Sequence, residues 1–156
     1  AIMVGRLDDH LKRVMDTQRI SVDPGCLEWA GVAVFKRAYQ IFQQRGFRSV
    51  LLAAAYRNPM QWSELVGGNV TVSIPHSWWK RFNASPIEVT DRINLPVRAD
   101  IIETLETHFP DFVRAYEPQG MTPAEFASFG STIHTLKQFI QAYHDLLAVV
   151  RERMIR

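Results

Sequence analysis

The sequence predicts an α/β fold in which parallel strands alternate with helices. Two apolar runs support this prediction: residues 50–55, which show no polar alternation, and residues 70–74, which are rich in β-branched side chains. Both are expected to be strands that are covered on both faces. Residues 56–69 lie between them and are numerous enough for a helical crossover between parallel strands. A long amphipathic segment precedes the first run, so helices and strands alternate along the first half of the chain.

The bounds of the elements before the first of these strands are predicted from residues that typically begin or end helices and turns. The predicted bounds are a strand tail at residues 1–4, a turn at Gly5-Arg6, a short helix at 7–15 and a long helix at 23–45. The long helix has the clearest ends, because Asp23 is a favourable N-cap and Pro24 suits the first helical position. Gly46 is its expected C-terminal stop.

Helices dominate the rest of the chain. The predicted helices are residues 60–66, 77–82, 98–108, 111–116, 123–128 and 131–154, with an irregular segment at 83–96. The last helix is the longest, and its apolar residues recur at spacings of three and four. They are Ile133, Leu136, Ile140, Tyr143, Leu147, Val150 and Met154. We expect this helix to pack on the body of the chain, with a coiled coil as the alternative.

Composition and charge argue against several classes of protein. The 156 residues suit one domain, and the net charge of +2 is too small to favour a nucleic-acid partner. Most basic residues are arginines, which favour salt bridges and anion contacts. No apolar run approaches the ~18 residues of a membrane span, so no membrane partner is expected. The single cysteine, Cys26, excludes an internal disulfide and fits a reducing, cytoplasmic location.

The predicted strands are too few for a closed or well-covered sheet. Two complete strands and one partial strand leave unpaired edges and apolar surface, whereas a (β/α)8 barrel takes ~250 residues. We therefore expect the carboxyl-side part of a larger domain, beginning within a strand at Ala1. In this interpretation residues 1–156 form a single partial domain, with βα units at 1–82 and an irregular segment plus C-terminal helices at 83–156.

Four motifs occur in the order found in one enzyme family. They are Val4-Gly5-Arg6, Asp23-Pro24-Gly25, Ala-Tyr-Arg-Asn at residues 55–58, and Leu-Val-Gly-Gly-Asn at residues 65–69. They resemble, respectively, the end of the sixth strand, an Asp-Pro-Gly loop, a seventh strand that ends Ser-Phe-Arg-Asn, and the stretch before the eighth strand of the transaldolases. The register is good over residues 1–82, and the long C-terminal helix also agrees. The resemblance implies the C-terminal part of a (β/α)8 TIM barrel, about strands six to eight, with extra C-terminal helices.

The resemblance also implies a function and a site. Transaldolases are transferases of the pentose phosphate pathway that move a three-carbon ketol unit between sugar phosphates through a lysine Schiff base, and no cofactor is expected. Their phosphate-binding arginines, at the ends of strands six and seven, correspond to Arg6 and Arg57. The expected pocket wall is Met3, Ala55, Tyr56 and Asn58. Independently of the resemblance, a guanidinium suits phosphate because it is a planar fork of donors that stays charged.

The chain departs from the family pattern at several positions. Ala1 and Ala55 stand where the family commonly has phosphate-binding serines. The Schiff-base lysine and its acidic helpers belong to earlier strands. The lysines of this chain all lie off the predicted strand ends: Lys12, Lys36, Lys80 and Lys137. We therefore expect no catalytic residue in this chain, and a sugar phosphate site completed by the N-terminal half of the barrel or by a second copy.

The alternative is a catalytically inactive half-barrel that acts as a module for self-association or partner binding. The two missing hydroxyl groups, at Ala1 and Ala55, favour this alternative. A homo-oligomer is also expected, and in a half-barrel the open strand edge and the C-terminal heptad helix would mediate self-association.

Other residues have both a structural and a functional interpretation. Arg57 has the alternative of capping a strand through a salt bridge. His76 stands where a general base would follow a strand, but a helix-capping or solvent-facing side chain is expected. Trp78-Trp79 and the cations after them invite a nucleic-acid role, yet packing on the barrel is expected, because adjacent helical residues cannot share a face. Cys26 is expected to be a buried small residue, and no metal site is expected among the histidines.

Overall fold

A computed structural model describes residues 1–155, which divide into two units. The first unit is Ala1–Gly120, and the second runs from Met121 onwards. Among the described residues, the first unit contains a three-stranded sheet and seven helices, and the second contains a 3-10 helix and one long helix. The single partial domain expected from the sequence stays a prediction.

Helices and parallel strands alternate through the first unit, as the sequence predicts. The strands are β1 (Ile2–Met3), β2 (Leu51–Ala54) and β3 (Val70–Ser73). The helices are α1 (Val4–Gln18), α2 (Pro24–Leu27), α3 (Ala30–Arg45), α4 (Met60–Ser63), α5 (His76–Asn83), α6 (Ala99–His108) and α7 (Pro110–Tyr116). The strands lie in the order β1-β2-β3, with Ala53 opposite Ile2 on one side and Val72 on the other. The prediction of a mixed α/β fold with a parallel sheet is confirmed.

The core of the first unit joins β2 to α3. Phe35 and Tyr39 of α3 belong to one cluster of buried side chains with Ala53 of β2 and with Tyr56, which follows that strand. Burial of a large apolar side chain stabilises a fold by roughly 1.5–3 kcal/mol. The apolar face of α3 therefore fixes the position of β2, and with it the position of the residues that follow the strand.

The turn predicted at Gly5-Arg6 is wrong, because both residues lie in the first turn of α1. β1 ends at Met3, and the helix begins at the next residue. The Gly5 N–H donates to the Ala55 carbonyl at 3.1 Å. The first N–H groups of a helix have no partner within the helix, so this contact with the end of β2 allows α1 to begin directly after β1.

The long helix predicted at residues 23–45 is interrupted. It divides into α2 and α3 at Glu28, whose carbonyl accepts the Asn58 side-chain amide at 3.1 Å. A side chain from the segment between β2 and α4 thus hydrogen-bonds to a backbone carbonyl at the break. The predicted ends are confirmed: the Asp23 carboxylate accepts a backbone N–H at 2.9 Å, and Gly46 ends α3 in a left-handed conformation.

Burial differs between β2 and β3. Leu51 and Ala53 of β2 are buried and alternate with half-buried residues, whereas Val70 is half-buried and the other residues of β3 are exposed. The expectation that the strands are covered on both faces is therefore wrong for β3. This strand lies at the edge of the sheet, and no strand within residues 1–155 pairs with its outer side.

The second unit is built around a long helix. A 3-10 helix (Pro123–Ala127) precedes α8 (Gly130–Met154). Thr122 and Glu125 form a capping box at its start, since the Glu125 carboxylate accepts the Thr122 N–H at 2.8 Å. Many apolar side chains of α8 are exposed: Leu136, Phe139, Ile140, Tyr143, Leu146, Val149, Val150 and Met154. The residues described in this unit do not cover them, and both packing alternatives for the helix stay predictions.

Candidate anion-binding site

The candidate site lies where β2 ends and α1 begins. The chain leaves β2 at Ala54 and turns through Ala55, whose φ of 62° is left-handed, before it reaches Arg57. A Cβ on Gly5 of α1 would stand 2.1 Å from the Ala55 carbonyl oxygen and 2.6 Å from Cγ of Arg57. Glycine at this position therefore allows α1 to approach the end of β2 closely and allows Arg57 to lie against the helix.

Arg57 is held by contacts within the chain. Its Nε donates to the Asp9 carboxylate oxygens at 3.1 and 2.9 Å, and its Nη2 lies 2.8 Å from Oδ2 of Asp9. Its Nη1 donates to the carbonyls of Ala55 at 3.3 Å and Tyr56 at 2.9 Å. The guanidinium is therefore fixed in orientation, and Nη2 carries a second hydrogen that these contacts do not use. The salt bridge considered as an alternative for Arg57 is present.

Arg6 adds positive charge beside Arg57. Arg6, Asp9 and Arg13 recur along α1 at spacings of three and four, which places them on one face of the helix. Burial lowers the pKa of Arg6, and the positive charges of Arg57 and Arg13 lower it further, whereas Asp9 raises it. Three guanidinium groups and one carboxylate give this arginine cluster a net positive charge, which suits an anion.

A buried carboxyl lies on the same helix as the arginine cluster. Asp8 is 1% exposed, its Oδ1 accepts the Gly31 N–H at 2.8 Å, and its Oδ2 accepts the Gln61 amide at 2.6 Å. Burial raises the pKa of Asp8 to about 8, although these two donors act in the opposite direction. Asp8 therefore connects α1 to the start of α3 and to α4.

Comparison with known proteins identifies the family of the chain. A family model described as transaldolase/fructose-6-phosphate aldolase matches residues 1–149. The chain belongs to this family. No curated protein and no solved structure matched the chain. The family match confirms the resemblance predicted from the four motifs and extends it into α8. It supports a TIM-barrel fold and a transaldolase-like function in general, in carbohydrate metabolism.

The four residues predicted for the pocket wall of this transaldolase-family chain differ from one another in exposure and in contacts. Met3 is 38% exposed at the end of β1, and Ala55 lies in the turn after β2. Tyr56 and Asn58 are buried. The Tyr56 hydroxyl donates to the Ala53 carbonyl at 3.2 Å, and burial raises its pKa. The pocket wall stays a prediction, as do the phosphate-binding roles of the arginines.

The family's Schiff-base chemistry needs a lysine, and every lysine of this chain lies on a helix. Lys36 of α3 is buried, and its ammonium donates to the Glu64 carboxylate at 2.6 Å and to the Arg92 and Leu95 carbonyls at 2.9 and 2.8 Å. The others are Lys12 of α1, Lys80 of α5 and Lys137 of α8. The sequence predicts that none of the four lysines lies at the end of a strand, and the structure confirms this. The ammonium of Lys36 has an acceptor for each of its three hydrogens, which suits a structural role.

Other residues considered in the sequence have structural surroundings. His76 is exposed and stacks on Trp79, with 6.4 Å between ring centroids. Trp78 packs against the core cluster, as expected, whereas Trp79 is 52% exposed. Cys26 is half-buried, so its predicted burial is only partial. Within residues 1–155, no group of three or more His, Cys, Asp or Glu residues could hold a metal ion, and no helix has the length and apolar character needed to cross a lipid bilayer.

Sequence analysis missed three polar residues that shape the site: Asp8, Asp9 and Gln61. Asp9 gave no signal, because Arg6, three residues before it, is predicted to lie in a turn and not on the same helix. Gln61 follows Arg57 by four residues, but α4 is too short for a helical pattern to show. Asp8 gave no signal, because a carboxylate on a short helix is normally exposed.

Proposed function

We propose that this chain forms the phosphate-binding part of a transaldolase-type (β/α)8 barrel. The complete barrel transfers a three-carbon ketol unit between sugar phosphates through a lysine Schiff base. The observation that supports the proposal is the positively charged cluster built on Arg6 and Arg57, each of which closely follows one of two neighbouring parallel strands. In such barrels, ligands bind at the carboxyl ends of the strands.

The ion pair with Asp9 makes Arg57 a rigid ligand for a phosphate. With Nε and Nη1 engaged, Arg57 offers one Nη2 hydrogen and its charge, and Arg6 adds a second guanidinium. A hydrogen bond to a charged group contributes about 1.5–3 kcal/mol, and a fixed phosphate orients the reactive carbonyl of the sugar. Ala1 and Ala55 provide no side-chain hydroxyl, so the arginines supply a larger share of the binding than in family members with serines there.

The reactive lysine is supplied by other strands of the barrel, in an N-terminal half, because a second copy of this chain would bring only lysines that lie on helices. Two features support this step. The outer side of β3 has no partner strand within residues 1–155, and an apolar groove lined by Trp62, Val70 and Phe82 lies beside it. The coding sequence upstream of Ala1 offers a direct check: further βα units with a strand-end lysine would support the proposal, and a start codon immediately before Ala1 would contradict it.

Borohydride trapping with fructose 6-phosphate tests the origin of the imine. We expect no adduct on this chain alone, because Lys36 is buried in hydrogen bonds and the other lysines lie outside the strand ends. Mass spectrometry of the reduced protein measures the adduct, with a complete transaldolase barrel as the positive control. A trapped sugar on any lysine of this chain would contradict the proposal that the reactive lysine lies on other strands of the barrel.

Substitution of Arg57 tests the phosphate site. We expect Arg57→Ala to weaken the binding of fructose 6-phosphate at least about tenfold, a loss of about 1.4 kcal/mol, because a fixed cation is removed. Isothermal titration calorimetry on the complete protein measures the affinity. Arg48→Ala, which removes an exposed arginine before β2, is the matched control and should leave the affinity unchanged. Equal affinity of Arg57→Ala and the unaltered protein would leave Arg57 with a purely structural role beside Asp9.

The second candidate is a catalytically inactive half-barrel that self-associates or binds a partner. The exposed edge strand β3 and the position of every lysine on a helix favour it. The upstream coding sequence separates the two candidates, because an independent start codon at this point fits the second candidate and contradicts the first.

A further inference from the structure

Gln61 connects the backbone of Arg57 to a buried carboxyl. Its Oε1 accepts the N–H of Arg57 at 2.5 Å and that of Asn58 at 3.4 Å, and its Nε2 donates to Oδ2 of Asp8 at 2.6 Å. Gln61 is 0% exposed and Asp8 is 1% exposed. Because these groups are buried, a lost hydrogen bond here is not replaced by one to bulk water.

The polarity of these hydrogen bonds is fixed at both ends. A backbone N–H only donates, so Gln61 must turn its oxygen toward Arg57 and its NH2 toward Asp8. Asp8 also accepts the Gly31 N–H at 2.8 Å, and the Asn58 amide lies 3.5 Å away. The hydrogen-bonding neighbours of the Asp8 carboxyl are therefore all donors, and they are fully satisfied only by an acceptor at position 8.

The backbone at Arg57 needs such a restraint. β2 ends at Ala54, and Ala55 between them has a left-handed conformation. The N–H of Arg57 lies beyond the ladder of β2 and is instead bonded to Gln61. A displacement of about 1 Å in a group that positions a substrate can change a rate about a hundredfold. The hydrogen bond that the Arg57 N–H donates to Gln61 therefore restrains the backbone position from which the Arg57 side chain extends.

We infer that Gln61 and Asp8 are a positioning pair for Arg57: Asp8 orients the Gln61 amide, and Gln61 holds the backbone from which Arg57 reaches an anionic ligand. The inference rests on the proposed function, because it takes Arg57 as a phosphate ligand. Neither residue of the pair touches the ligand. Both act through Arg57.

The protonation state of Asp8 determines whether its carboxyl can accept every hydrogen bond offered to it, including that from Gln61. Burial raises the pKa of Asp8 to about 8, so the carboxylate that accepts all of its donors predominates only above that pH. The polar and charged groups that act on Asp8 are the Gly31 N–H, the amides of Gln61 and Asn58, the Lys12 ammonium and the Asp9 carboxylate. Asp9 alone among them opposes ionisation.

Exchanging the hydrogen-bond donor and acceptor between positions 8 and 61 tests the inference. Asp8→Asn places two donors against each other, and Gln61→Met removes both hydrogen bonds of the Gln61 side chain. Gln61→Glu alone would share a proton with Asp8 and restore the bond, so it is used only in the double variant Asp8→Asn/Gln61→Glu, where the amide at position 8 donates to the carboxylate at position 61, which still accepts the Arg57 N–H. At about pH 9, above the pKa of Asp8, we expect each single variant to bind inorganic phosphate and fructose 6-phosphate about tenfold more weakly. The double variant should bind within about threefold of the unaltered protein.

A control separates positioning from general stability. Asp111 of α7 pairs with His10 at 2.7 Å and with Arg114 at 3.1 Å, and none of its hydrogen bonds or ion pairs found in residues 1–155 involves Arg57 or Gln61. Asp111→Asn should lower the melting temperature and leave phosphate affinity unchanged. A loss of affinity in this variant as large as in Gln61→Met would mean that affinity follows stability, and it would overturn the inference.

Arg57→Ala separates this inference from the proposed function. Weaker phosphate binding in Arg57→Ala, together with unchanged binding in Gln61→Met, would overturn the inference and leave the proposed function standing. Unchanged binding in Arg57→Ala would overturn both. If the single variants do not fold, the double variant still decides, since a tenfold loss of affinity in it contradicts the positioning role.

Discussion

Ala55 links β2 to Arg57 in a conformation that alanine seldom adopts. Its φ of 62° lies in the left-handed region, which costs a residue with a Cβ about 1–2 kcal/mol. The surroundings enforce it: the Ala55 carbonyl accepts the Gly5 N–H at 3.1 Å and Nη1 of Arg57 at 3.3 Å. Strain of this kind persists where the structure around a residue determines its position, often at a functional site.

Replacing Ala55 with glycine should relieve that strain. Part of the gain is offset because glycine makes the unfolded chain more flexible, so we expect Ala55→Gly to raise the free energy of unfolding by up to about 1 kcal/mol. Urea denaturation measures the change. Ala54→Gly is the matched control in β2 and should lower stability by about 0.5–1 kcal/mol. An equal loss in both variants would show that the backbone at Ala55 is not strained.

The site was predictable from sequence only where a residue belongs to a motif. Arg6 and Arg57 were found because their neighbours resemble family strand ends, whereas Asp9 emerged only when the structure placed it against Arg57. Gln61 and Asp8 meet across 53 positions of sequence. No local pattern specifies such a pair, because the contact depends on how α1 and α4 pack at the end of β2.

At the scale of elements, helix ends were predictable and interruptions were not. The Asp23 and Gly46 signals gave correct helix ends, because capping is a local interaction. The break between α2 and α3 involves the Asn58 amide, which lies 30 positions from the Glu28 carbonyl that accepts it. Likewise, Gly5 favoured a turn in the sequence but lies in a helix, since its N–H has a partner at the end of β2.

The approach of α1 to α3 depends on Gly31. A Cβ at this position would stand 2.1 Å from the carbonyl oxygen of Val4, a backbone atom that cannot move freely. We expect Gly31→Ala to separate the two helices and to lower the free energy of unfolding by about 1–3 kcal/mol. Thermal denaturation measures the loss. Gly25→Ala is the control, because the nearest atom there belongs to the Asp23 side chain at 3.2 Å; similar melting temperatures for the two variants would contradict the prediction.

For the whole molecule, motif order was enough to predict the family, but the closure of a barrel depends on residues beyond those of the three strands. The strand order and register follow from pairing between β1, β2 and β3. The periodicity of β3 and α8 does not specify a partner for either element. A periodic apolar face predicts packing but does not indicate against which surface.

Asp8 should make the stability of the first unit depend on pH. Its pKa is raised from 3.8 to about 8 by burial, so the folded state holds the proton more tightly than the unfolded state. The stabilisation is fully present below about pH 4 and is lost as the pH rises to about 8, with a slope of up to about 1.4 kcal/mol per pH unit. Asp8→Asn should remove this slope, as measured by urea denaturation at several pH values between these limits.

Parallel stability curves for Asp8→Asn and the unaltered protein would assign the pH dependence to another group. If the curves diverge as expected, stability and phosphate binding respond to pH in opposite directions. Protonation of Asp8 stabilises the fold because a buried charge is removed, but it also removes an acceptor from the Gln61 amide. Phosphate affinity, corrected for the ionisation of phosphate itself, should therefore rise through about pH 8, at the upper end of the pH range over which stability falls, and this rise should be absent from Asp8→Asn.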